Sequence, residues 1–117
     1  MTSPYYQYGI EMSGGKPNLQ IGTATSTLSA AMDTALPANQ WSYLTVVFNG
    51  TQVLFYVNGT LASTKPLTAS ITARGQVMRL GADANTQQFF KGLLDDVRLY
   101  NRTLTPAEIQ TDMNTGL

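Results

Sequence analysis

Two Asn-Gly dipeptides constrain this chain more than any other feature, because each stands between two runs rich in alternating apolar residues. Asn49-Gly50 separates Trp41–Phe48 from Thr51–Val57, and Asn58-Gly59 separates that second run from Thr60–Thr64. A type I′ turn needs positive φ at both central residues, which Asn and Gly tolerate best. The pattern therefore predicts a meander of three antiparallel strands joined by two type I′ turns.

Shorter apolar patterns indicate the other strands, and the composition agrees with them. Hydrophobic residues make up 43% of the 117 residues and charged residues only 12%, while Thr is abundant. The branched Thr side chain suits a half-exposed strand. Further strands are predicted at Tyr5–Met12, Leu19–Gly22, Val77–Gly81 and Phe89–Tyr100, with Trp41 in the core. The stretch 23–32 fits either a strand or a loop.

One short helix is predicted at the C-terminal end. Thr105 and Glu108 are spaced as a capping box, in which each side chain hydrogen-bonds the backbone N–H of the other residue. Pro106 occupies the first helical position, where its missing N–H costs nothing. We expect this helix to close one end of a β-sandwich.

The absence of Cys and His excludes several kinds of chemistry. Disulfides, thiolate nucleophiles, Cys/His zinc sites and a Ser-His-Asp triad cannot be built from these residues. Oxygen ligands remain, and they favour calcium over a transition metal.

Charge and hydropathy exclude two classes of partner. Seven basic and seven acidic residues leave no net charge, so the chain lacks the basic surface that binds nucleic acid. No apolar run approaches the roughly 20 residues that a membrane-spanning helix needs. The first residues lack the features of a signal peptide. Either the chain is cytosolic, or its export depends on sequence outside it.

Four blocks of the sequence resemble a known family when they are taken together. The blocks are Gln40–Gly50, Leu54–Gly59, Leu80-Gly81 and Phe90–Ile109. In order and spacing they resemble the laminin-G-like, or concanavalin A-like lectin/glucanase, superfamily, and the bacterial laminin-G/pentraxin-like modules most closely. The resemblance implies an all-β, antiparallel jelly-roll β-sandwich with one short C-terminal helix, formed by a single domain over residues 1–117.

The resemblance is specific only from Gln40 onward. Members of the family usually begin with further strands ahead of the segment that corresponds to Tyr5–Ile21, and here those strands are missing. The domain is therefore expected to be N-terminally truncated, to be rewired, or to complete its sheets with another copy. A strand left without a neighbour exposes backbone donors and acceptors and invites edge pairing.

Five residues are candidates for ligand binding. Asp96, Arg98 and Tyr100 share one side of the predicted last strand, which would line the concave face that such sandwiches use for ligands; a solvated face with a surface ion pair is the alternative. Tyr6 and Tyr8 offer rings on which sugars stack, and core packing is the alternative for them.

Three residues are candidates for a calcium site, namely Asp83, Asn85 and Asp95. Asp83 and Asn85 belong to a polar loop with oxygen ligands of the kind calcium takes, although such a loop is more often only a connection. Asp95 falls among apolar neighbours on its strand, so it must bind a metal or accept backbone N–H bonds.

Catalysis is not expected. Glucanases of this superfamily use paired acidic residues, and retaining hydrolysis needs two carboxylates roughly 5 Å apart. The chain has only two glutamates, of which Glu108 is used by the helix cap, and the adjacent Asp95 and Asp96 face opposite ways on a strand.

The resemblance implies a non-catalytic module that binds a carbohydrate or another cell-surface ligand, in adhesion and as part of a larger secreted or cell-surface protein. The alternative is a structural or self-assembly module that pairs its edge strands with another chain and forms a homo-oligomer. The sequence does not specify the ligand.

Overall fold

The computed structural model describes residues 7–82 and 88–116. Six strands and one helix follow one another along the chain: β1 Tyr8–Ser13, β2 Lys16–Gly22, β3 Thr27–Ala31, β4 Leu44–Phe48, β5 Gln52–Val57, β6 Thr60–Pro66 and α1 Pro106–Met113. The strands form two antiparallel three-stranded sheets, in the orders β1-β2-β3 and β4-β5-β6. The predicted fold class, an all-β sandwich with one short C-terminal helix, is confirmed.

The second sheet is the predicted meander, but only one of its two turns has the predicted type. Asn58 and Gly59 have φ values of 52° and 79°, as a type I′ turn requires. In the first turn only Gly50 has positive φ. There the Oδ1 of Asn49 accepts hydrogen bonds from the N–H groups of Thr51 and Gln52, at 3.0 and 2.8 Å. The type I′ prediction is wrong at Asn49 because its side chain, rather than a left-handed backbone, closes the turn.

The first sheet begins with a tighter hairpin than the sequence indicated. Gly14 and Gly15 both have positive φ, and Ser13 pairs with Lys16 directly across the turn. The second strand therefore starts at Lys16, three residues earlier than predicted. The stretch left open between a strand and a loop contains β3, which pairs with β2.

The core lies between the two sheets. Leu19 and Ile21 of β2 pack with Val53 and Phe55 of β5, and all four side chains are buried. Each such side chain contributes about 1.5–3 kcal/mol relative to an exposed position. At the edge of this core the Asp33 carboxylate, just beyond β3, accepts hydrogen bonds from Ser63 Oγ (2.8 Å) and from Lys65 Nζ. These contacts join the first sheet to β6.

The helix packs against the outer face of the second sheet, which the core does not use. Ile109 is fully buried against Val47 and Tyr56. The predicted capping box is present, with Thr105 Oγ1 accepting from the Glu108 N–H at 3.2 Å and Glu108 Oε2 accepting from the Thr105 N–H at 2.9 Å. The helix thus forms a third layer on the sandwich and does not close an end of it.

Two predicted strands are not found in what we call the irregular segment, residues 67–82 and 88–105. Within the described part of this segment the only strand-like pairing is one isolated bridge, Ala82 with Phe89. The strand predictions for Val77–Gly81 and Phe89–Tyr100 are therefore wrong. Both stretches alternate as strands do, but a strand also needs a neighbour for its backbone hydrogen bonds.

The prediction for Trp41 is also wrong. Its side chain is 63% exposed rather than part of the core. The strand that it was expected to begin starts three residues later, at Leu44. Trp41 therefore lies before the second sheet, with most of its side chain in solvent.

Candidate functional site

A groove lies between α1 and the end of the irregular segment. It encloses about 260 Å³ and is lined by Tyr100, Arg102, Leu104, Ala107, Glu108, Thr111 and Asp112. The capping box positions its floor, because the cap fixes where the helix begins relative to the preceding residues. The lining combines an aromatic ring, a guanidinium and two carboxylates with apolar side chains, as sites for small ligands do.

Asp112 organises the aromatic side of the groove. The Tyr100 hydroxyl donates to Asp112 Oδ2, and this hydrogen bond to a carboxylate raises the pKa of Tyr100 above its usual value. Tyr100 therefore stays protonated at neutral pH, and its ring is held in place by a charge-assisted bond.

Arg98 fixes the same region from the other side. Its guanidinium donates to the hydroxyl of Tyr43 at 3.1 Å and to the backbone carbonyls of Asp112 and Thr115. Carbonyls at the end of a helix lack partners within the helix, and a cation there is favoured by the helix dipole. Arg98 thus holds the end of α1 and positions Asp112, and it is itself half-buried.

Arg102 and Glu108 form the polar side of the groove. They make an ion pair at 2.9 Å, and the Arg102 guanidinium lies 5.9 Å from the centroid of the Tyr100 ring. The ion pair raises the pKa of Arg102. It also lowers the pKa of Glu108, to which the Thr105 N–H adds a smaller effect. Both groups are charged at neutral pH.

The predicted ligand residues separate into two groups. Arg98 and Tyr100 both contact Asp112, so the structure brings them together. Asp96 is apart from them: it is exposed, has a φ of 49°, and its N–H donates to Asp95 Oδ1 at 2.8 Å. The prediction that all three share one face of a strand is wrong, because no strand forms here.

The helical half of the groove was not predicted from the sequence. Glu108, Thr111 and Asp112 follow one another at the three- and four-residue spacing that places side chains on one face of a helix. That spacing, read together with the capping box, is the signal that could have indicated them. Arg102 could have been assigned with them as the cation preceding the cap.

The two predicted tyrosines lie far along the chain from this groove. Tyr8 is in β1 opposite Ile21, so it belongs to the inner face of the first sheet, yet it is partly exposed at the open margin of that sheet. Tyr6 lies outside the described residues. Tyr8 does not line the groove, and the role of both tyrosines in binding stays a prediction.

The calcium prediction is not tested by the structure. Asp83 and Asn85 lie outside the described residues. Asp95 is exposed, not buried among apolar side chains as expected, and its carboxylate accepts from the next backbone N–H. Residues 7–82 and 88–116 contain no group of three acidic side chains close enough to hold a metal ion.

Neither glutamate is free of structural bonds. Glu11 lies on the outer face of the first sheet, where its carboxylate accepts from the amides of Asn18 (3.1 Å) and Gln20. Glu108 caps the helix on the outer face of the other sheet.

Among the described residues, no helix is long and apolar enough to cross a membrane.

Two comparisons find similar proteins. Usherin from Mus musculus is 36% identical to this chain over 76 residues, which cover 60% of the chain and 2% of usherin. The crystal structure of an S-layer domain-containing protein from Clostridium thermocellum superposes with a TM-score of 0.50 at 20% identity. That superposition covers 85% of this chain and 52% of the other, so this chain spans about half of that structure and a small part of usherin.

A third comparison, with family models, covers more of the chain. The laminin-G model described as "Concanavalin A-like lectin/glucanases superfamily" matches residues 2–110. The resemblance read from the sequence is specific only from Gln40 onward, and the family match extends it through the first sheet. Since this match runs through both sheets and into α1, the chain belongs to the concanavalin A-like lectin/glucanase superfamily, as a domain of the laminin-G type.

Proposed function

We propose that this domain is a non-catalytic binding module that takes a carbohydrate in the groove between α1 and the irregular segment. One observation carries the proposal: the Tyr100 ring lies beside the Asp112 carboxylate and the Arg102 guanidinium at an open groove. A sugar presents apolar C–H faces and a rim of hydroxyls. A ring flanked by one acceptor and one donor matches both features.

The charges of the groove support a neutral ligand. Arg102 and Glu108 neutralise each other, and the chain as a whole has no net charge. A strongly anionic ligand would have to approach two carboxylates, whereas hydroxyl groups both donate to carboxylates and accept from a guanidinium. Neutral saccharides are therefore the ligand class that fits best.

The same charges make the groove unsuited to glycoside hydrolysis. Glu108 and Asp112 are one helical turn apart, so their carboxylates are neighbours on the surface of α1. A glycoside hydrolase needs one carboxyl group that stays protonated to act as the acid. Arg102 lowers the pKa of Glu108 and so favours its ionised form. The cap and the ion pair leave Glu108 without the properties of that acid.

Location is part of the proposal. A module that binds glycans meets its ligand outside the cell, on a surface or in the matrix, and we propose that this domain acts there as part of a larger protein. The two similar proteins described above, usherin and an S-layer domain-containing protein, support this location.

A glycan array tests the proposal, run with calcium and with a chelator. We expect binding to a set of neutral glycans, abolished by Tyr100→Ala and retained in large part by Tyr100→Phe, which keeps the ring. Asp112→Asn keeps the shape of the acceptor but removes its charge, and should weaken binding about 10-fold, as expected for loss of a charge-assisted hydrogen bond.

Tyr8→Ala and Asp96→Asn provide the matched comparison, since both alter predicted ligand residues outside the groove. Loss of binding in either of them, with Tyr100→Ala unaffected, would move the site to the first sheet or to the loop at Asp96. No binding to a broad panel under either condition would overturn the carbohydrate proposal.

A further inference from the structure

The irregular segment exposes apolar side chains that a folded domain normally buries. Val77, Met78 and Leu80 are 75%, 62% and 59% exposed. Further along the segment the exposed apolar residues are Phe89, Phe90, Leu93, Leu94, Val97 and Leu99. So many large exposed apolar side chains in one segment are unusual for a soluble monomer and favour an interaction surface.

The total surface area gives the size of this exposure. The chain exposes 7859 Å², whereas a folded monomer of 12.7 kDa is expected to expose about 6,200 Å². The chain extends 42 × 30 × 27 Å along its principal axes, so the excess area reflects both its elongated shape and the uncovered apolar faces. An excess of this size is about what each partner of a large, obligate dimer would bury.

The first sheet has an open edge at β1. β1 is one of the two edge strands of its sheet, and Ile10 and Met12 on its inner face are exposed although they pair with the buried Leu19 and Pro17. The irregular segment reaches the same margin, because the Arg74 N–H donates to Gln7 Oε1 at 3.3 Å. Residue 74, three positions before the stretch 77–80, thus lies at the start of the open edge on the same copy.

We propose that a second copy of this chain completes the sandwich, with residues 77–80 of each copy adding as a strand to the edge of β1 in the other. In this arrangement a single two-fold axis relates the two pairs of strands, one pair from each copy. Such an interface is isologous and closes at the dimer. Addition of a strand to an open edge supplies backbone hydrogen bonds to both elements.

The charge and the alternation of the two elements select a register. Glu11 is the only charged residue of β1, and Arg79 is the only charged residue of 77–80. An antiparallel register with Arg79 opposite Glu11 places Met78 opposite Met12 and Leu80 opposite Ile10. The opposite charges then share the outer face, and the four apolar side chains share the inner face. A shift by one residue would turn Met78 and Leu80 outward.

Sedimentation equilibrium of the full chain over a concentration series tests the dimer. We expect a mass of twice 12.7 kDa at the higher concentrations. Glu11→Arg and Arg79→Glu each place like charges at both symmetric contacts and should weaken the dimer about tenfold or more. Lys91→Glu, an exposed residue of the irregular segment outside the proposed pairs, changes the net charge as much as Arg79→Glu and should leave the dimer unchanged.

Mixing the two single variants decides whether the contact is between copies. In a mixed dimer each contact again joins one Arg to one Glu, so an equimolar mixture should recover the wild-type dimer while each variant alone stays dissociated. This rescue cannot come from misfolded variants. A monomer at all concentrations, or association that mixing does not restore, would overturn the proposal. Failure here leaves the glycan array result untouched, since the groove residues are not involved.

Discussion

The second sheet and the irregular segment carry the same kind of sequence, yet only one of them forms strands. Val53, Phe55 and Val57 alternate along β5 in the same way as the apolar residues of 77–80 and 93–99 alternate in the irregular segment. β5 is paired on both sides, by β4 and by β6. The irregular segment has no neighbouring strand among the residues that the structure describes, beyond the isolated bridge.

This comparison separates two requirements that are usually met together. Alternation states which side chains can share a face, while hydrogen bonding of the backbone requires a second strand at the right distance. Where both are met, as in β5, the side chains become the core. Where a neighbouring strand is missing, as in the irregular segment, the alternating apolar residues stay exposed.

The largest expected effect comes from removing a large side chain from each region. Phe55→Ala should lower the free energy of unfolding by about 3–5 kcal/mol, because it removes a fully buried ring and leaves a cavity. Phe89→Ala, in the irregular segment, should change it by at most about 0.5 kcal/mol. Urea unfolding at concentrations where the chain is monomeric measures both. A comparable loss in Phe89→Ala would mean that the segment is covered in the monomer.

Two glycine substitutions compare the backbone conformation of the second sheet with that of the irregular segment. Gly59 has a φ of 79°, and an added Cβ would lie 3.1 Å from Met113 Cε. Gly59→Ala should therefore cost about 1–2 kcal/mol, the cost of a left-handed backbone for an L-residue. Gly75 has open space around it and no positive φ, so Gly75→Ala should be close to neutral. Equal thermal midpoints for the two variants would contradict the assigned turn.

The helix cap offers a smaller effect. Thr105→Ala removes the acceptor of the Glu108 N–H and should cost about 1 kcal/mol. Thr103→Ala replaces an exposed threonine just before the helix and serves as the control. Thermal unfolding followed by circular dichroism distinguishes them. If both variants melt together, the capping box does not stabilise the helix on the sheet.

The smallest effect is a dependence on pH at the contact between the sheets. The hydrogen bond from Lys65, followed by that from Ser63, lowers the pKa of Asp33 below its ordinary value of 3.8. A carboxyl whose folded pKa is lowered stabilises the fold above the unfolded pKa, and this contribution is lost as the pH falls through the folded pKa. The thermal midpoint of unfolding should therefore decrease as the pH is lowered below about 4. This decrease should be smaller in Asp33→Asn.

Lys65→Met is the companion variant, because it removes the largest cause of the lowered pKa while leaving Asp33 in place. Its midpoint should depend on acid less than that of the wild type. If Asp33→Asn and the wild type lose the same number of degrees between pH 5 and pH 2, the contact between Asp33 and β6 does not contribute in solution.

The sequence predicted the short-range features of the structure best. The meander, the turn at Asn58-Gly59 and the capping box at Thr105 depend on residues close in sequence, and all three are confirmed. The groove itself was not predicted. Of the predicted ligand residues, Tyr100 lines it and Arg98 contacts Asp112. Asp112 was missed, because its contact with them depends on how the helix lies on the sheet.

The sequence by itself determined the class of fold, the meander of the second sheet and the family, because alternation, turn residues and caps act over a few neighbouring positions. The tertiary structure alone decided which alternating stretches became strands. It also decided that α1 would form a third layer, and that Asp96 would lie apart from Arg98 and Tyr100. Those outcomes depend on whether a distant part of the chain, or another chain, lies close enough to pair with a backbone or to cover an apolar face.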